Sequence, residues 1–218
     1  MNRLILKYGY PITAVILLIF AWVIIQRALG GWANVATLVI AAAILLVIGV
    51  PTFIAVWPRI TVNGFKRVIL TRGFGNGPIP INTMYAVSDT SSESAAAGSL
   101  IATGTDDVLY VGGWLDVRDR PQVLHVPEMA GRYYSVQFTD PATSTNFAYV
   151  GKRTTGTAES DFLLTGPSWK GTVPAGMTPI ACPGGSALLI GRVFVADDAD
   201  RSTAFALAQQ IGLSPLTS

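Results

Sequence analysis

The chain has very little histidine and cysteine, the side chains that enzymes use for thiol and imidazole chemistry and for binding zinc. Its 218 residues include one histidine, His125, and one cysteine, Cys182. A single cysteine excludes an intramolecular disulfide, and one histidine with one cysteine is too few for a usual zinc site, which takes three or four such ligands. Charged residues make up only 13% of the chain, against about 25% in a typical soluble domain. Charged residues are scarcest in the N-terminal region of the chain.

Acidic residues are absent from the first 88 positions, and the first is Asp89. Residues 1–72 contain seven of the fifteen Lys and Arg residues, whereas all thirteen Asp and Glu residues follow them. A basic N-terminal region therefore precedes an acidic remainder. Neither part is basic enough to indicate nucleic acid as a partner.

Two long runs in the basic region carry no charge. Residues 8–26 and 28–58 are rich in Ile, Leu, Val and Phe, and about 20 apolar residues span the hydrocarbon core of a bilayer. We predict a transmembrane hairpin over residues 1–58, with helices at about 8–26 and 33–57 and a kink at Pro51. A cleaved signal peptide is the alternative for the first run, although its apolar stretch is long for one.

Residues suited to the membrane interface accompany the second helix. They are two tryptophans and four basic residues: Trp32, Trp57, Arg59, Lys66, Arg67 and Arg72. Tryptophan favours the headgroup level, and each basic residue near anionic lipid contributes about 1 kcal/mol. Cations lie at both ends of the hairpin, so the positive-inside rule places the following domain in the cytoplasm, on a multi-pass membrane protein. A first strand or a solvated linker is the alternative for residues 59–74.

The remainder has the pattern of a mainly β domain at 105–218, reached through a basic juxtamembrane and Gly- and Ser-rich segment at 59–104. Short runs rich in Val, Tyr, Phe and Leu alternate with Gly, Pro and Asp, as in antiparallel sandwiches. The predicted strands are 108–117, 122–126, 133–139, 146–150, 161–164 and 187–196. In the third, a two-residue period puts Tyr134, Val136 and Phe138 on one face. We predict an antiparallel β-sandwich-like domain that ends in a helix capped by Asp198 or Asp200 and stopped at Gly212.

Several motifs follow one another in this domain. They are DVLYVGGWLD at 107–116, PQVLHVP at 121–127, GRYYSVQFTD at 131–140, NFAYVGKRTTG at 146–156, DFLLTGPSWKG at 161–171 and ALAQQIGLSPL at 206–216. In order and spacing they resemble the bacterial family catalogued as domain of unknown function 1254. The resemblance implies a β-sandwich-like domain that is usually coupled to a companion domain, catalogued as 1214, on the same polypeptide. No companion follows in this sequence, so we expect it on a separate, membrane-attached protein.

The chain departs from this family pattern in places. Relatives typically read Asn-x-Asp-Thr-Leu-Tyr where residues 104–110 read GTDDVLY. Many relatives also carry secretion signals, which favours a periplasmic domain and conflicts with the charge count. The cytoplasmic placement rests on the charges of this chain.

Five side chains are candidates for ligand binding: Asp106, Asp107, His125, Arg132 and Arg153. Adjacent carboxylates suit a cation, a histidine suits a general base, and an arginine in the polar GKRTTG turn suits a bidentate anion. The plainer alternatives are turn charges, a hydrogen-bonded strand histidine and a solvated turn. Within strands, Arg132 and Arg192 each need a carboxylate if buried, and Asp140 or Asp116 could supply it.

No catalytic motif accompanies these candidates. The sequence has neither a Gly-x-Ser-x-Gly elbow nor a phosphate-binding loop. We therefore expect a membrane-anchored, non-catalytic β-domain, without metal or cofactor, that acts as a subunit or assembly module of a membrane protein complex. The alternative is a domain that binds or hydrolyses a small molecule.

Overall fold

The computed structural model describes residues 21–23, 27, 33–73, 77–90 and 105–217. The chain divides into two compact units, Met1–Val56 and Trp57–Ser218. The predicted first membrane helix, 8–26, lies outside the described residues except for 21–23, which are helical. Trp32 also lies outside them.

A long helix forms from three consecutive segments: α1 (Ala33–Ile44), a π-helical turn (Leu45–Gly49) and α2 (Val50–Arg72). The turn directly precedes Pro51, whose nitrogen has no hydrogen to donate to the preceding turn. The chain stays helical through Pro51, and the kink expected there stays a prediction. Within the described residues, Leu38–Arg72 is the one helix long and apolar enough to cross a membrane, with a mean hydropathy of 2.8 over an 18-residue stretch.

The predicted end of this helix, near residue 57, is too early. Helix α2 continues through Pro58 to Arg72, so the alternative of a strand or linker over this stretch is wrong. Ile69 explains the continuation, because it is buried at 1% exposure in a cluster with Ile79, Trp114 and Leu188. Lys66 lies over the Trp114 ring, 5.2 Å from its centroid, and Arg59 Nε donates to the Ala142 carbonyl at 2.5 Å. Residues 57–72 are thus packed against the β-domain.

The β-domain consists of two sheets, as predicted. The strands are β1 (Met84–Thr90), β2 (Val108–Asp116), β3 (Gln122–Val126), β4 (Tyr134–Thr139), β5 (Asn146–Gly151), β6 (Ser160–Thr165), β7 (Met177–Ala181), β8 (Ser186–Phe194) and β9 (Gly212–Pro215). One sheet has the order β1-β2-β8-β4-β5 and the other β7-β6-β3-β9. All pairs are antiparallel except β6 with β7.

The core lies between the sheets and confirms the alternation predicted for β4. Tyr134, Val136 and Phe138 are each at most 1% exposed. Helix α3 (Arg201–Gln210) closes the core with Ala204 and Ala208, both fully buried. Each fully buried large side chain contributes about 1.5–3 kcal/mol to folding, so this two-layer core holds the surface loops in place.

One detail of the C-terminal helix differs from expectation. Asp200 occupies the N-cap position but makes no side-chain cap hydrogen bond, because its carboxylate is used elsewhere. The helix ends as predicted, since Ile211 is its C-cap and Gly212 holds the next position. Gly212 also begins strand β9, which pairs with β3. The chain thus continues into the sheet directly after the helix.

Candidate functional site

His125 and Asp161 face each other across β3 and β6. His125 Nδ1 donates to Asp161 Oδ1 at 2.8 Å, and the two side chains are 40% and 43% exposed. A carboxylate bound to Nδ1 orients an imidazole in the way that catalytic histidines are oriented. The described structure shows no nucleophile hydrogen-bonded to the ring, so its geometry is that of an exposed cross-strand pair.

Arg132 and Asp200 form a bidentate ion pair beside a cavity of about 550 Å³. The two distances are 2.5 and 2.6 Å, and Arg132 Nη1 also donates to the Phe194 carbonyl at 2.7 Å. The Ala196 amide donates to the same carboxylate at 2.9 Å. Arg132, a predicted ligand-binding candidate, therefore uses both of its Nη groups within the protein, where it joins the β4 and β8 ends to the start of α3, whereas its buried Nε has no hydrogen-bond partner among the described residues.

The ion pair shifts the acid–base behaviour of both partners. The Arg132 guanidinium, followed by the Ala196 amide, lowers the pKa of Asp200 to about 2. The Asp200 carboxylate in turn raises the pKa of Arg132 above its usual value. Charge-assisted, two-point pairs of this kind are among the stronger polar contacts in proteins. The pair is therefore fully ionised at neutral pH.

A second concave region, the arginine cleft, lies on the outer face of the five-stranded sheet. It has a volume of about 290 Å³, and its lining includes Tyr133, Ser135, Tyr149, Arg153, Thr154 and Arg192. Arg153 lies over the Tyr133 ring at 5.6 Å, and Arg192 lies over the Tyr110 ring at 5.5 Å. Within the described part of the chain, neither guanidinium has a carboxylate partner.

The carboxylates expected to neutralise the strand arginines are used elsewhere. Asp140 accepts hydrogen bonds from the Ala142 amide and the Thr143 hydroxyl of its own turn, at 3.0 and 2.8 Å. Asp116 pairs with Arg118, which lowers the pKa of the carboxyl group. The pairing of Arg132 or Arg192 with Asp140 or Asp116 is thus wrong, since Arg132 pairs with Asp200.

The remaining predicted ligands are dispersed. Asp106 and Asp107 are exposed in the bend before β2 and line neither cavity. Among the described residues, no group of three His, Cys, Asp or Glu side chains could hold a metal ion. Cys182 is fully buried, as predicted, and burial raises the pKa of its thiol to about 12. A thiol of that pKa is a poor nucleophile at neutral pH.

The basic residues predicted for the membrane interface divide into two pairs. Arg59 and Lys66 contact the β-domain, as described above. Arg67 and Arg72 are exposed on the same helix. Trp57 is 38% exposed. Their contact with lipid headgroups stays a prediction.

Of the predicted candidates, Arg153 lines the arginine cleft. Asp106, Asp107 and His125 do not. Sequence reasoning did not assign Arg192, Tyr133 or Tyr149 to a site. The alternation in β4 put Tyr133 on the outer face. The strand order that places β8 beside β4 has no local signature, so Arg192 could not be located from the sequence.

Comparisons with known proteins identify a family and a fold. The model of a family described as protein of unknown function, DUF1254, matches residues 81–215. The crystal structure of the VPA0106 protein from Vibrio parahaemolyticus is similar, with a TM-score of 0.56 and 24% identity over 74% of this chain and 36% of that chain. An uncharacterized protein from Burkholderia cenocepacia gives a TM-score of 0.37 and 11% identity, over 62% and 34%. The chain thus spans about a third of the length of either structure. No curated protein matches the chain.

Proposed function

The chain belongs to the DUF1254 family of proteins of unknown function, and we propose that it is a membrane-anchored, non-catalytic subunit of a bacterial membrane protein complex. In this proposal the β-domain binds a membrane protein that carries the companion domain. The protein crosses the inner membrane twice, at about residues 8–26 and within Leu38–Arg72. The β-domain then lies on the cytoplasmic face.

The apolar helix supports the membrane anchor. Its large side chains are exposed along the π turn and the start of α2, with Leu46 at 66%, Val47 at 72% and Ile54 at 65%. Exposed apolar surface of this kind costs about 25 cal/mol per Å² in water. A bilayer removes that cost, and the stretch 38–57 carries no charge. Its length of about 20 residues is that of one span.

The polar groups of the β-domain support a binding role over catalysis. Arg132 is engaged with Asp200, His125 is an exposed partner of Asp161, and the Cys182 thiol is buried and protonated. Catalysis needs an acid, base or nucleophile aimed at a substrate site. Neither described cavity contains such a combination.

The docking of α2 supports a role as an assembly module. Arg59, Lys66 and Ile69 fix residues 57–72 to the sheet, so this helical segment is a packed part of the β-domain. A packed segment directly after the apolar stretch suits a subunit that presents a defined surface to a membrane partner. The similar fold of the Vibrio protein occupies about a third of a longer chain, which is consistent with further polypeptide beside this fold.

Purification of the tagged full chain from its native membranes in mild detergent tests the proposal. We expect a companion-domain protein to co-elute at a fixed stoichiometry, identified by quantitative mass spectrometry. The variant His125→Gln is the matched control, because a non-catalytic module should keep the complex when this exposed side chain changes. Elution of the chain by itself, under conditions that keep other complexes of the same membrane intact, would contradict the proposal.

A further inference from the structure

The arginine cleft has a cation at the middle of the sheet. Strand β8 is the central strand, and its register places Arg192 between Tyr110 on β2 and Ser135 on β4. The side chain of Arg192 is half-buried. Partial removal of a guanidinium from water is unfavourable unless other groups replace its hydration. Here the replacement is the face of Tyr110, at 5.5 Å, which leaves the N–H donors available.

Arg153 brings a second cation to the same cleft. It follows β5 in a tight turn and lies over Tyr133 at 5.6 Å. The lining includes no Asp or Glu, so the two positive charges act together in a concave surface, where their field is strongest. The hydroxyl groups of Ser135 and Thr154 are further polar groups in the lining.

Two other arginines of the domain differ from this arrangement. Arg118 and Arg132 each have a carboxylate that binds two of their nitrogens. Arg153 and Arg192 have aromatic rings in its place, and an aromatic ring attracts a cation without neutralising it. Of the three arginines that line the two cavities described above, Arg153 and Arg192 thus lack a carboxylate among the described residues, and they share one cleft.

We propose that the arginine cleft binds a small organic oxyanion, a carboxylate or phosphate monoester that carries a flat apolar group. Guanidinium groups bind both oxyanions through two parallel hydrogen bonds, and the Tyr133 and Tyr149 rings provide surface for the flat group. A volume of about 290 Å³ is at the small end for ligand sites, so the ligand is small. This site is separate from the proposed assembly role and does not rest on it.

Isothermal titration calorimetry of the full chain in phosphatidylcholine nanodiscs tests the site, with phenyl phosphate and benzoate as probes. We expect saturable binding of at least one probe. Arg192→Ala and Arg153→Ala should each weaken it by about ten- to a hundredfold, the usual loss for a charge-assisted contact. Arg67→Ala is the matched control, because it removes an exposed positive charge outside the cleft, and it should leave the affinity unchanged.

Three results would overturn the site. They are no binding of either probe to the wild-type chain, full affinity in Arg192→Ala and Arg153→Ala, or an equal loss in Arg67→Ala, which would indicate diffuse electrostatic attraction. Thermal unfolding of each variant checks its fold. Arg153 is exposed in a turn, so Arg153→Ala keeps the test decisive even if Arg192→Ala unfolds.

The same experiment distinguishes a free oxyanion from a lipid headgroup. Phosphatidylglycerol nanodiscs supply a competing anionic headgroup at the membrane surface, and both titrations are run in about 0.5 M NaCl so that the bilayer charge does not itself repel the probe. A headgroup that occupies the cleft should lower the apparent affinity for phenyl phosphate in the wild-type chain relative to phosphatidylcholine, and Arg67→Ala should show the same drop. An equal affinity in the two lipids assigns the site to a soluble ligand.

Discussion

Asp200 connects three parts of the chain through one carboxylate. It accepts hydrogen bonds from Arg132, before β4, and from the Ala196 amide, after β8, and Asp200 itself is the N-cap residue of α3. A sequence shows that an acid precedes a helix and suggests a cap, but it does not show that an arginine 68 positions away competes for the same oxygens. The Asp200 carboxylate binds the charged Arg132 guanidinium and makes no cap bond to the helix, because charge-assisted hydrogen bonds are about twice as strong as neutral ones.

We predict that Asp200→Asn lowers the free energy of unfolding by about 2 kcal/mol, because it leaves the partly buried Arg132 guanidinium without its counter-ion. Thermal unfolding of the full chain in detergent measures the change. Asp198→Asn is the control, since Asp198 is 98% exposed and contacts Arg201 at 3.2 Å. Equal melting temperatures for the two variants would contradict this role of the ion pair.

The stabilisation by Asp200 should also depend on pH. The pKa of Asp200 is about 2 in the folded protein, whereas an unfolded Asp titrates near about 3.9. A lowered folded pKa stabilises the protein above the unfolded pKa, and this contribution is lost as the pH falls through the folded value. The difference in melting temperature between wild type and Asp200→Asn should thus be constant above about pH 5 and shrink towards pH 2. A difference that stays constant down to pH 2 would assign the effect to packing.

The strands that could be predicted are those with alternating or continuous apolar patterns. Strands β2, β3 and β8 lie within one or two residues of expectation, since their Val, Leu and Tyr residues fill the core. Strands β1, β7 and β9 were missed. Their sequences, such as MTPIA and GLSP, have weak intrinsic β preference, and pairing with neighbours makes them strands. The helix beyond residue 57 was missed for a related reason, because Ile69 is buried against residues distant in sequence.

At the scale of this helix, we predict that Ile69→Ala weakens the docking of residues 57–72 on the sheet. Truncation of a fully buried isoleucine costs about 2–5 kcal/mol, and Ile69 is 1% exposed. Limited trypsin digestion of the full chain in detergent is the measurement, because Arg59, Lys66, Arg67 and Arg72 are cleavage sites within the docked segment 57–72. We expect faster cleavage in Ile69→Ala and wild-type cleavage in Ile60→Ala, whose side chain is 45% exposed. Identical cleavage of both variants would show that the Ile69 contact does not hold the helix.

Considered as a whole, the molecule shows where sequence reasoning about a site reaches its limit. Arg153 was identified because a polar turn is a local pattern, whereas its partner Arg192 comes from β8, some 40 residues later along the chain. The two meet because β8 lies beside β4, which pairs with β5. The sheet topology, and not any local sequence pattern, brings these three strands side by side. Strand order and register therefore determine the site, and both are set by the complete core.

The arrangement of the whole chain in the membrane can be tested by a change in the apolar helix. Leu46→Arg, Val47→Arg and Ile48→Arg together add about 8–10 kcal/mol to the cost of insertion at the bilayer centre. If the protein crosses twice, loss of the second crossing leaves the β-domain on the opposite face. An alkaline phosphatase fused after Ser218, active only outside the cytoplasm, reports this change.

We expect low phosphatase activity for the wild-type chain, because both ends of the hairpin carry cations and should stay inside. The triple variant should give high activity. Thr61→Arg, Gly64→Arg and Thr71→Arg provide the matched control, since they add the same charge to exposed positions of the same helix beyond the apolar stretch, and this control should match the wild type. An unchanged phosphatase activity in the triple variant would show that Leu38–Arg72 does not cross the membrane, because the side on which the domain lies would then not depend on that helix.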